Sequence, residues 1–529
     1  MLRLSAARPI LGRSVSVQKP ITEVEVPSAA GSAGAEAAVN GEARAAARES
    51  GARPGSEPVR TPTPPPRRTK IVATLGPSTD GRVRELIEAG LDCARLNCSH
   101  GSAAELRSRC VELRAAARAA GRPVAVMFDL QGPKIRLDGS VVERELRAGE
   151  EVVLTVPGTE EREPGSLCVA YPQLPDLVSE RSEVVIGDGA PRLRVTGIEG
   201  TRIRALTVIG GRVSARKGVN VTHAQPKLPA ITDKDRADAR VAVECEADFV
   251  ALSFVRCAED VVALRELMAE LGSQARVVAK IEKVEALEHL EAIVQAADAV
   301  MVARGDYGVE AGIPQVPAMQ KDTIRCAGRH GKLVITATQM LESMISCPLP
   351  TRAEAADVFN AIVDGTSAVM LSAETGVGAY PLEAVRTMAD IALCAEQQDI
   401  YCEPLALSPR ADEAVMHAAV ALARDANAAA LVVPSSRGGT VRACARYRPR
   451  RPIYALCDNE RVARQLNMEW GVHPSMFEHP RKAHKLLRQA VRDVTERYGL
   501  RPGTPVVITA GPRTGTSGAT NLITLRFAE

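Results

Sequence analysis

Charged and polar side chains recur where short apolar runs of the sequence end. These residues are Arg95, Asn97, Ser99, Asp129, Lys280, Glu282, Arg304, Asp306, Thr338 and Glu374. Glu282 and Asp306 form the smallest set of hard oxygen ligands that could hold Mg²⁺ and still leave sites for substrate and water. Lys280 lies two residues before Glu282, so on a strand both side chains point to the same face.

A cation, a lysine and two arginines at one place would neutralise an anion, and phosphoryl transfer needs such neutralisation on its equatorial oxygens. A structural network of ion pairs would use the same residue types. Residue types alone therefore leave both interpretations open.

The elements that must position these residues are eight β-branched runs. They span residues 70–75, 93–97, 124–129, 248–253, 276–281, 299–304, 333–338 and 368–372. Amphipathic helical patterns lie between most of them, at 80–90, 103–121, 258–271, 284–297, 317–330, 352–364 and 381–397. Eight alternating units predict a (βα)8 TIM barrel, in which the carboxyl ends of the strands share one mouth. The polar residues above would line that mouth.

Two further regions break the rhythm of the barrel. Residues 138–216 are rich in Val, Gly and Arg with strand-like segments, which predicts an inserted small β-barrel lid domain after the third strand. After about residue 400, apolar runs at 429–434, 452–457 and 505–510 alternate with helical patterns at 412–425, 439–448, 459–469 and 481–498. They predict a C-terminal doubly wound α/β domain. The predicted units are a leader 1–68, barrel 69–137 and 217–398, insert 138–216 and C-terminal domain 399–529.

Composition excludes several classes of protein. The formal charge is +3 in 529 residues, with one Trp, seven Tyr and six Phe, so neither a basic surface nor a stacking platform for nucleic acid is expected. No run of apolar residues is long enough to predict a membrane span. Twelve cysteines without a C-x-x-C pair argue against a disulfide framework and a structural zinc site, and favour a reducing compartment.

The first 68 residues contain no aromatic residue and end in a Pro-rich stretch, so they are predicted to be disordered. Residues 1–22 carry arginines and serines and no acidic residue, which also fits a transit peptide. The predicted location is the cytoplasm, with an organelle stroma or matrix as the alternative.

Eight strings resemble the pyruvate kinase family, in the family's order and over nearly all of the chain from Thr69. They are KIVATLGPS at 70–78, ARLNCSHG at 94–101, DLQGPKIR at 129–136, KGVN at 217–220, VAKIE at 278–282, MVARGD at 301–306, TATQMLESM at 336–344 and MLSAET at 370–375. The resemblance implies transfer of the phosphoryl group of phosphoenolpyruvate to ADP and, as in the family, a homotetramer.

The resemblance also implies a role for each matching residue. Arg95 would grip the substrate phosphate, Lys280 would stabilise the transferring group, and Glu282 and Asp306 would bind Mg²⁺. Thr338 would contact the substrate near the carbon that is protonated. The backbone of Ala303, Arg304, Gly305 and Asp306 would hold the substrate carboxylate. The nucleotide would be met by Asn97, His100, Arg136 and Lys217, the last two at the hinges of a lid.

One departure from the family pattern concerns a monovalent cation. Asn97, Ser99, Asp129 and Leu130 match its K⁺ ligands, but Lys134 stands where members that require K⁺ carry an acidic residue. An ammonium could replace the ion by attracting the substrate anion and the Asp129 carboxylate, so no K⁺ requirement is predicted. The alternative is a Lys134 that points into solvent.

In the C-terminal unit, the loop of Ser435, Ser436 and Thr440 follows a strand and opens a helix, which suits a phosphate group. It resembles the family's effector loop, with residues 514–518 facing it, and so implies a sugar-phosphate effector. An ordinary strand-to-helix turn is the alternative.

Two rival functions remain at this stage. A barrel lyase acting on enolpyruvate carbon bonds could share the Mg²⁺ site, but it would need neither the lid nor Lys280. A regulatory homologue without activity would not need Lys280, Glu282, Asp306 and Thr338 together.

Overall fold

A computed structural model describes residues 66–159, 163–187, 189–222, 228–398, 400, 410–480, 482–511 and 520–529. Eight parallel strands close into a barrel in it: Lys70–Thr74, Cys93–Asn97, Ala125–Asp129, Phe249–Leu252, Arg276–Ile281, Ala299–Ala303, Leu333–Ala337 and Ala368–Leu371. The first strand pairs with both the second and the eighth, which completes the ring. The predicted TIM barrel is therefore confirmed.

The strands read as continuous apolar runs because both of their faces are buried. Along the first strand, Ile71 and Ala73 pack with the surrounding helices, whereas Val72 belongs to the cluster that fills the barrel interior. Met127 and Met301 join Val72 in that interior cluster. The interior is thus a packed core, and only the open ends of the strands are left for chemistry.

The helices that surround the barrel are Val83–Ala89, Ala103–Ala119, Asp233–Glu244, Ala258–Glu270, Glu285–Glu288, Leu290–Ala296, Arg304–Ala311, Val316–Arg329, Arg352–Val363, Ala373–Gly376 and Pro381–Ala395. Short 3-10 helices span Ile313–Gln315 and Glu342–Ile345. Asp233–Glu244 and Arg304–Ala311 were absent from the predicted set. The first begins with a capping box between Thr232 and Asp235, a sequence signal that predicts a helix start. The second contains two glycines, which lower helix propensity.

The insert contains a six-stranded and a two-stranded sheet. Its strands are Arg144–Leu146, Glu151–Thr155, Leu167–Cys168, Glu183–Ile186, Arg192–Glu199, Arg202–Ile209, Gly211–Val213 and Val219–Val221, with a short helix Leu174–Leu177. Leu154, Val184, Leu193 and Ile203 belong to its own hydrophobic core. The insert is thus built around a separate core, but its strands form two sheets in place of the predicted small β-barrel, and Val219–Val221 extends it beyond the predicted end at residue 216.

The C-terminal unit has a five-stranded sheet, four strands parallel and one antiparallel at the edge. The strands are Ala430–Pro434, Ile453–Cys457, Val472–Met476, Pro505–Ala510 and Leu522–Phe527, and the helices are Ala411–Asp425, Gly439–Ala445, Glu460–Leu466 and Ala483–Tyr498. Val472–Met476 was not predicted, because His473 and Pro474 interrupt its apolar pattern. No helix among the described residues is long and apolar enough to cross a membrane.

A buried lysine joins the barrel to the C-terminal sheet. Lys70 is 1% exposed, and its Nζ donates a hydrogen bond to the carbonyl oxygen of Val472 at 2.5 Å. Burial lowers the pKa of Lys70 to about 8; the Asp92 carboxylate opposes this shift, and the charges of Arg67 and Arg122 add to it. This contact therefore keeps an ionisable group away from water between two units of the fold.

Lys70 should make stability depend on pH above neutrality. An unfolded lysine titrates near pH 10.4, so between about pH 8 and pH 10 the unfolded chain binds more protons and stability rises with pH. The full effect corresponds to about 3 kcal/mol of unfolding free energy. Urea midpoints of the native chain and Lys70→Met, measured at several pH values, should show the native chain gaining stability relative to the variant across this window. Parallel pH profiles would contradict this account.

Candidate active site

Four polar side chains meet at the carboxyl ends of the third, fourth and fifth barrel strands. Lys280 Nζ donates to Ser253 Oγ at 2.7 Å and lies 3.4 Å from both Asp129 Oδ1 and Glu282 Oε2. Burial would lower the pKa of Lys280, but the carboxylates of Asp129 and Glu282 raise it above its ordinary value. The lysine is therefore held as a cation inside the mouth of the barrel.

Arg95 extends this cluster from the second strand. Its Nε donates to Asp129 Oδ2 at 2.8 Å, and its Nη1 donates to Thr74 Oγ1 at 3.0 Å. Burial would raise the pKa of Asp129, yet the charges of Lys280 and Arg95 keep it below its ordinary value. One buried carboxylate thus holds two cations side by side, where they can meet a doubly charged phosphate.

Glu282 has the properties expected of a metal ligand. It is fully buried, and its Oε1 accepts a hydrogen bond from the Phe254 backbone N–H at 2.6 Å, whereas its Oε2 has no hydrogen-bond partner. Burial raises the pKa of Glu282 to about 7; Lys280 opposes this shift, and the nearby Asp306 charge adds to it. A buried carboxylate oxygen that accepts no hydrogen bond and has the Lys280 ammonium at 3.4 Å, next to a second carboxylate, fits a divalent cation. No cluster of three or more metal-ligating side chains occurs in the described part of the chain, so other ligands would come from substrate and water.

The sixth and seventh strands meet at a strained turn. Thr338 has φ of +67°, and its Oγ1 accepts a hydrogen bond from the Gly305 N–H at 2.8 Å and donates one to the Ala337 carbonyl. Gly305 lies in the first turn of helix Arg304–Ala311, and this helix begins directly after Ala303. A left-handed conformation in a β-branched residue is uncommon and is found where a site fixes a side chain. Thr338 is thereby fixed beside the start of this helix.

A cleft lies between the insert and the barrel mouth. Lys134, Gly218, Phe254, Glu282 and Asp306 are among the residues that line it. Lys134 Nζ donates to Asp306 Oδ1 at 2.8 Å, and it lies 5.6 Å from the centre of the Phe254 ring. A Cβ on Gly218 would come within 2.6 Å of Lys134 Cε, so a larger residue there would force the lysine side chain to shift. The cleft therefore extends from the Glu282 and Asp306 carboxylates to Gly218 at the hinge of the insert.

Comparison with known proteins decides the family. Residues 66–385 match the family described as pyruvate kinase, barrel domain, and residues 413–525 match pyruvate kinase, alpha/beta domain. The chain belongs to the pyruvate kinase family. The pyruvate kinase of Geobacillus stearothermophilus is 42% identical over 479 residues, which cover 86% of this chain and 80% of that protein. The pyruvate kinase of Mycobacterium tuberculosis is 42% identical over 460 residues, with 86% and 98% covered. Pyruvate kinase 2 of Synechocystis is 40% identical over 478 residues, with 88% and 80% covered.

Two side chains predicted to line the barrel mouth of this pyruvate kinase family member, Arg304 and Glu374, point elsewhere. The Arg304 guanidinium is buried and donates to both oxygens of Asp357 and to the carbonyl oxygen of Thr338. Glu374 is buried and accepts hydrogen bonds from the N–H groups of Leu341 and Ser372. The prediction of two arginines converging on the substrate was therefore wrong for the Arg304 side chain, which braces the Thr338 turn. Only the backbone of Arg304 remains a candidate for substrate binding.

Lys134 also differs in part from its prediction. Its ion pair is with Asp306, and Asp129 is paired with Arg95 and Lys280 instead. The expected attraction to Asp129 was therefore wrong as a direct contact, and so was the alternative of a lysine in solvent. The ammonium nevertheless lies in the cleft of a pyruvate kinase fold, beside a proposed Mg²⁺ ligand.

Arg136 and Lys217, which were predicted to bind nucleotide, donate hydrogen bonds to backbone carbonyl groups of the protein. Arg136 Nη1 donates to the Arg216 carbonyl at 3.0 Å, and Lys217 Nζ donates to the Arg212 carbonyl at 2.8 Å, both at the hinges of the insert. Burial lowers the pKa of His100, with contributions from the charges of Arg136, Arg95 and Lys134. The positive charges of the barrel mouth and of the insert hinge therefore both act on His100.

The loop predicted for monovalent cations follows the second strand. Asn97 Oδ1 accepts a hydrogen bond from the Ser99 N–H at 3.0 Å, and the Leu130 carbonyl accepts one from Ser253 Oγ at 2.7 Å. The Leu130 side chain is buried. Asn97, Ser99 and Leu130, with Asp129, lie at the ends of the second and third strands, which are paired neighbours.

Sequence reasoning missed Ser253 and Phe254, which follow the fourth strand. Ser253 bridges Lys280 and Leu130, and the N–H of Phe254 holds Glu282 while its backbone adopts φ of +58°. Their position at a strand end was the available signal. Phe254 acts through its backbone, and Ser253 was assigned to the predicted strand run 248–253, so neither was selected among the mouth residues.

The C-terminal loop is held by hydrogen bonds of its own. Ser435 Oγ accepts from the Gly438 N–H at 3.0 Å, and Ser436 Oγ donates to Asp458 Oδ2 at 2.7 Å. Thr440 Oγ1 lies 3.1 Å from Thr520 Oγ1. The facing loop predicted at residues 514–518 lies outside the described residues. The Asp458 carboxylate beside Ser436 would oppose a phosphate at that hydroxyl.

Proposed function

We propose that this chain transfers the phosphoryl group of phosphoenolpyruvate to ADP, giving pyruvate and ATP in the last step of glycolysis. The observation that carries the proposal is the convergence of Lys280, Glu282 and Asp306 at one barrel mouth beneath a lid. Family membership supports the same reaction.

Lys280 and Arg95 would bind the phosphate of the substrate from one side. Their positive charges lie where negative charge collects on the transferring group, so they stabilise the transition state more than the ground state. Asp129 and Ser253 keep both cations oriented, which avoids reorganisation during the reaction. Glu282 and Asp306 would hold Mg²⁺, which supplies charge neutralisation of the phosphoryl oxygens when it is bound.

The backbone from Ala303 to Asp306 would hold the substrate carboxylate at a helix start, where N–H groups and the helix dipole favour an anion. Thr338 is fixed beside this turn and would orient the group, through water, that protonates the enolate at its methylene carbon. Closure of the insert, with Arg136 and Lys217 at its hinges, would exclude water and strengthen the charge interactions beneath it.

A coupled assay in which each component is withheld in turn tests this function. Pyruvate should form only when phosphoenolpyruvate, ADP and Mg²⁺ are all present with the purified full chain. Pyruvate formed at the same rate without ADP would replace a kinase by a phosphatase or lyase. A complete lack of turnover would favour the regulatory homologue.

The Lys134 ammonium would replace K⁺ in this chain, because it lies beside Asp306 in the cleft. The native chain should turn over equally with and without K⁺ in buffer free of other monovalent metal ions. Lys134→Glu should lose at least about tenfold in kcat without K⁺, since a favourable charge interaction becomes unfavourable, and should regain part of it when K⁺ is added.

Lys134→Met is the matched control, because it removes the cation without creating a carboxylate ligand. It should be impaired and should not respond to K⁺. A strong K⁺ requirement in the native chain, or an equal K⁺ response of both variants, would refute the substitution of K⁺ by Lys134.

The assembly, effector and location follow from the family resemblance and the sequence. We propose a homotetramer, tested by its mass in solution. We also propose activation by a sugar phosphate at Ser435, Ser436 and Thr440, whose binding would break the hydrogen bond between Ser436 and Asp458. Substrate saturation curves that stay unchanged with a panel of sugar phosphates would refute activation by such an effector.

The cytoplasm is the proposed compartment of the protein. Import of a reporter fused to residues 1–22 into an organelle would show that the protein is located there instead.

A further inference from the structure

Two cysteines meet on the outside of the barrel, away from the proposed active site. Cys110 lies within helix Ala103–Ala119 and is 3% exposed, whereas Cys245 caps helix Asp233–Glu244 and is partly exposed. The Cys110 thiol donates a hydrogen bond to the backbone carbonyl oxygen of Cys245, with Sγ 3.4 Å from that oxygen. The chain thus brings together two cysteines that are 135 residues apart in sequence.

The surroundings make the two thiols unequal. The neighbouring Cys110 thiol lowers the pKa of the Cys245 thiol; burial and the Glu244 charge oppose this shift, and the Arg107 charge supports it. The Cys245 thiol, together with burial, raises the pKa of Cys110. Both nearby guanidinium groups are ion-paired, Arg107 with Glu244 and Arg114 with Asp248. A partly exposed thiol backed by a buried thiol is the arrangement of an attacking and a resolving cysteine.

We propose that Cys245 and Cys110 form a redox modification site, which a low-molecular-weight disulfide of the glutathione class converts to an intramolecular disulfide. The proposal rests on the contact between Cys110 Sγ and the backbone of Cys245 and on the unequal exposure of the two side chains. It does not depend on the reaction catalysed in the barrel mouth.

The chemistry is balanced by the disulfide that acts as oxidant. The Cys245 thiolate attacks one sulfur of that disulfide, so a mixed disulfide forms on Cys245 and one small thiol leaves. Cys110 then loses its proton to water and attacks the Cys245 sulfur, and the second small thiol leaves. Two protein thiols are oxidised and one external disulfide is reduced to two thiols. In the mixed disulfide Cys245 no longer carries the negative charge that held the Cys110 proton, so the second step becomes easier.

The bond would fasten a helix whose other end supports loops of the proposed active site. In the first turn of helix Asp233–Glu244, Lys234 Nζ donates to the Cys98 carbonyl at 2.6 Å, and Asp235 accepts a hydrogen bond from the Gly132 N–H at 3.0 Å. Those loops carry Ser99 and Lys134. The modification therefore lies at the far end of an element that supports the mouth.

The experiment uses the full reduced chain, incubated with graded ratios of oxidised to reduced glutathione and then digested without reductant for mass spectrometry. A cross-linked pair of peptides containing Cys110 and Cys245 is expected, and dithiothreitol should remove it. Cys110→Ala should instead retain glutathione on Cys245, and Cys245→Ala should form neither product. Cys347→Ala, at an exposed cysteine elsewhere, is the matched control and should form the cross-link as the native chain does.

Reaction rates provide a second readout that does not require a variant to fold. At neutral pH, iodoacetamide should modify Cys245 at least about tenfold faster than Cys347 in the native chain, because the thiolate is the reactive form. Absence of the cross-link at every glutathione ratio would overturn the proposal. Glutathione retained on Cys110 in place of Cys245, or equal alkylation of Cys245 and Cys347, would overturn it as well.

Discussion

Lys280→Met is expected to lower kcat by at least about 10²-fold, because one preorganised charge that stabilises a transition state contributes on that scale. The ammonium lies 2.7 Å from Ser253 Oγ and contacts two carboxylates, so its position is fixed before substrate binds. Methionine has a similar length and no charge. Steady-state kinetics with phosphoenolpyruvate and ADP measure the loss directly.

Lys321→Met is the matched control for this variant. Lys321 lies on a barrel helix, is about half exposed and pairs with Asp364 on the surface. Its replacement should leave kcat within about twofold, since exposed ion pairs contribute little. Unchanged kcat in Lys280→Met, with a thermal midpoint equal to that of the native chain, would refute the role of Lys280.

Glu282→Gln should produce the second large effect, a loss of metal binding. The Glu282 oxygen without a hydrogen-bond donor is the feature that fits a divalent cation, and an amide cannot supply its charge. We expect the Mg²⁺ concentration for half-maximal activity to rise at least about tenfold, in line with the effect of weakening a metal site. Binding of Mn²⁺ followed by electron paramagnetic resonance measures the same loss without turnover.

Glu310→Gln separates this effect from the loss of any buried carboxylate. Glu310 is also buried beside the cleft, but its oxygens already accept hydrogen bonds from Lys283 and from the Val284 N–H. This control should bind Mn²⁺ as the native chain does. An equal Mn²⁺ affinity for Glu282→Gln and the native chain would contradict the proposed metal site.

The barrel could be predicted from sequence because its strands are buried on both faces. The predicted runs 276–281 and 299–304 are mostly apolar, and the strands found in the structure differ from them by one residue or less at each end. The strand Val472–Met476 escaped detection because His473 and Pro474 lie within it. Its burial comes from neighbouring strands, which a local pattern does not contain.

The direction of side chains beyond the strand ends was harder to predict. Lys280 and Glu282 keep the alternation of a strand and lie on one face as expected. Arg304 and Glu374 lie in the first turns of helices, where that alternation no longer holds, and both form structural hydrogen bonds. Lys134 passes close to the hinge residue Gly218 on its way to Asp306, a relation between segments about 80 residues apart. Such contacts depend on tertiary packing.

The central claim is that phosphoryl transfer from phosphoenolpyruvate to ADP takes place at the mouth built around Lys280, Glu282 and Asp306. Phosphorus-31 NMR of the purified full chain with equal amounts of phosphoenolpyruvate, ADP and excess Mg²⁺ tests it most directly. The account predicts that the phosphoenolpyruvate signal is replaced by the three signals of ATP, in an amount equal to the pyruvate formed. Conversion to inorganic phosphate, or no conversion by folded protein, would contradict it.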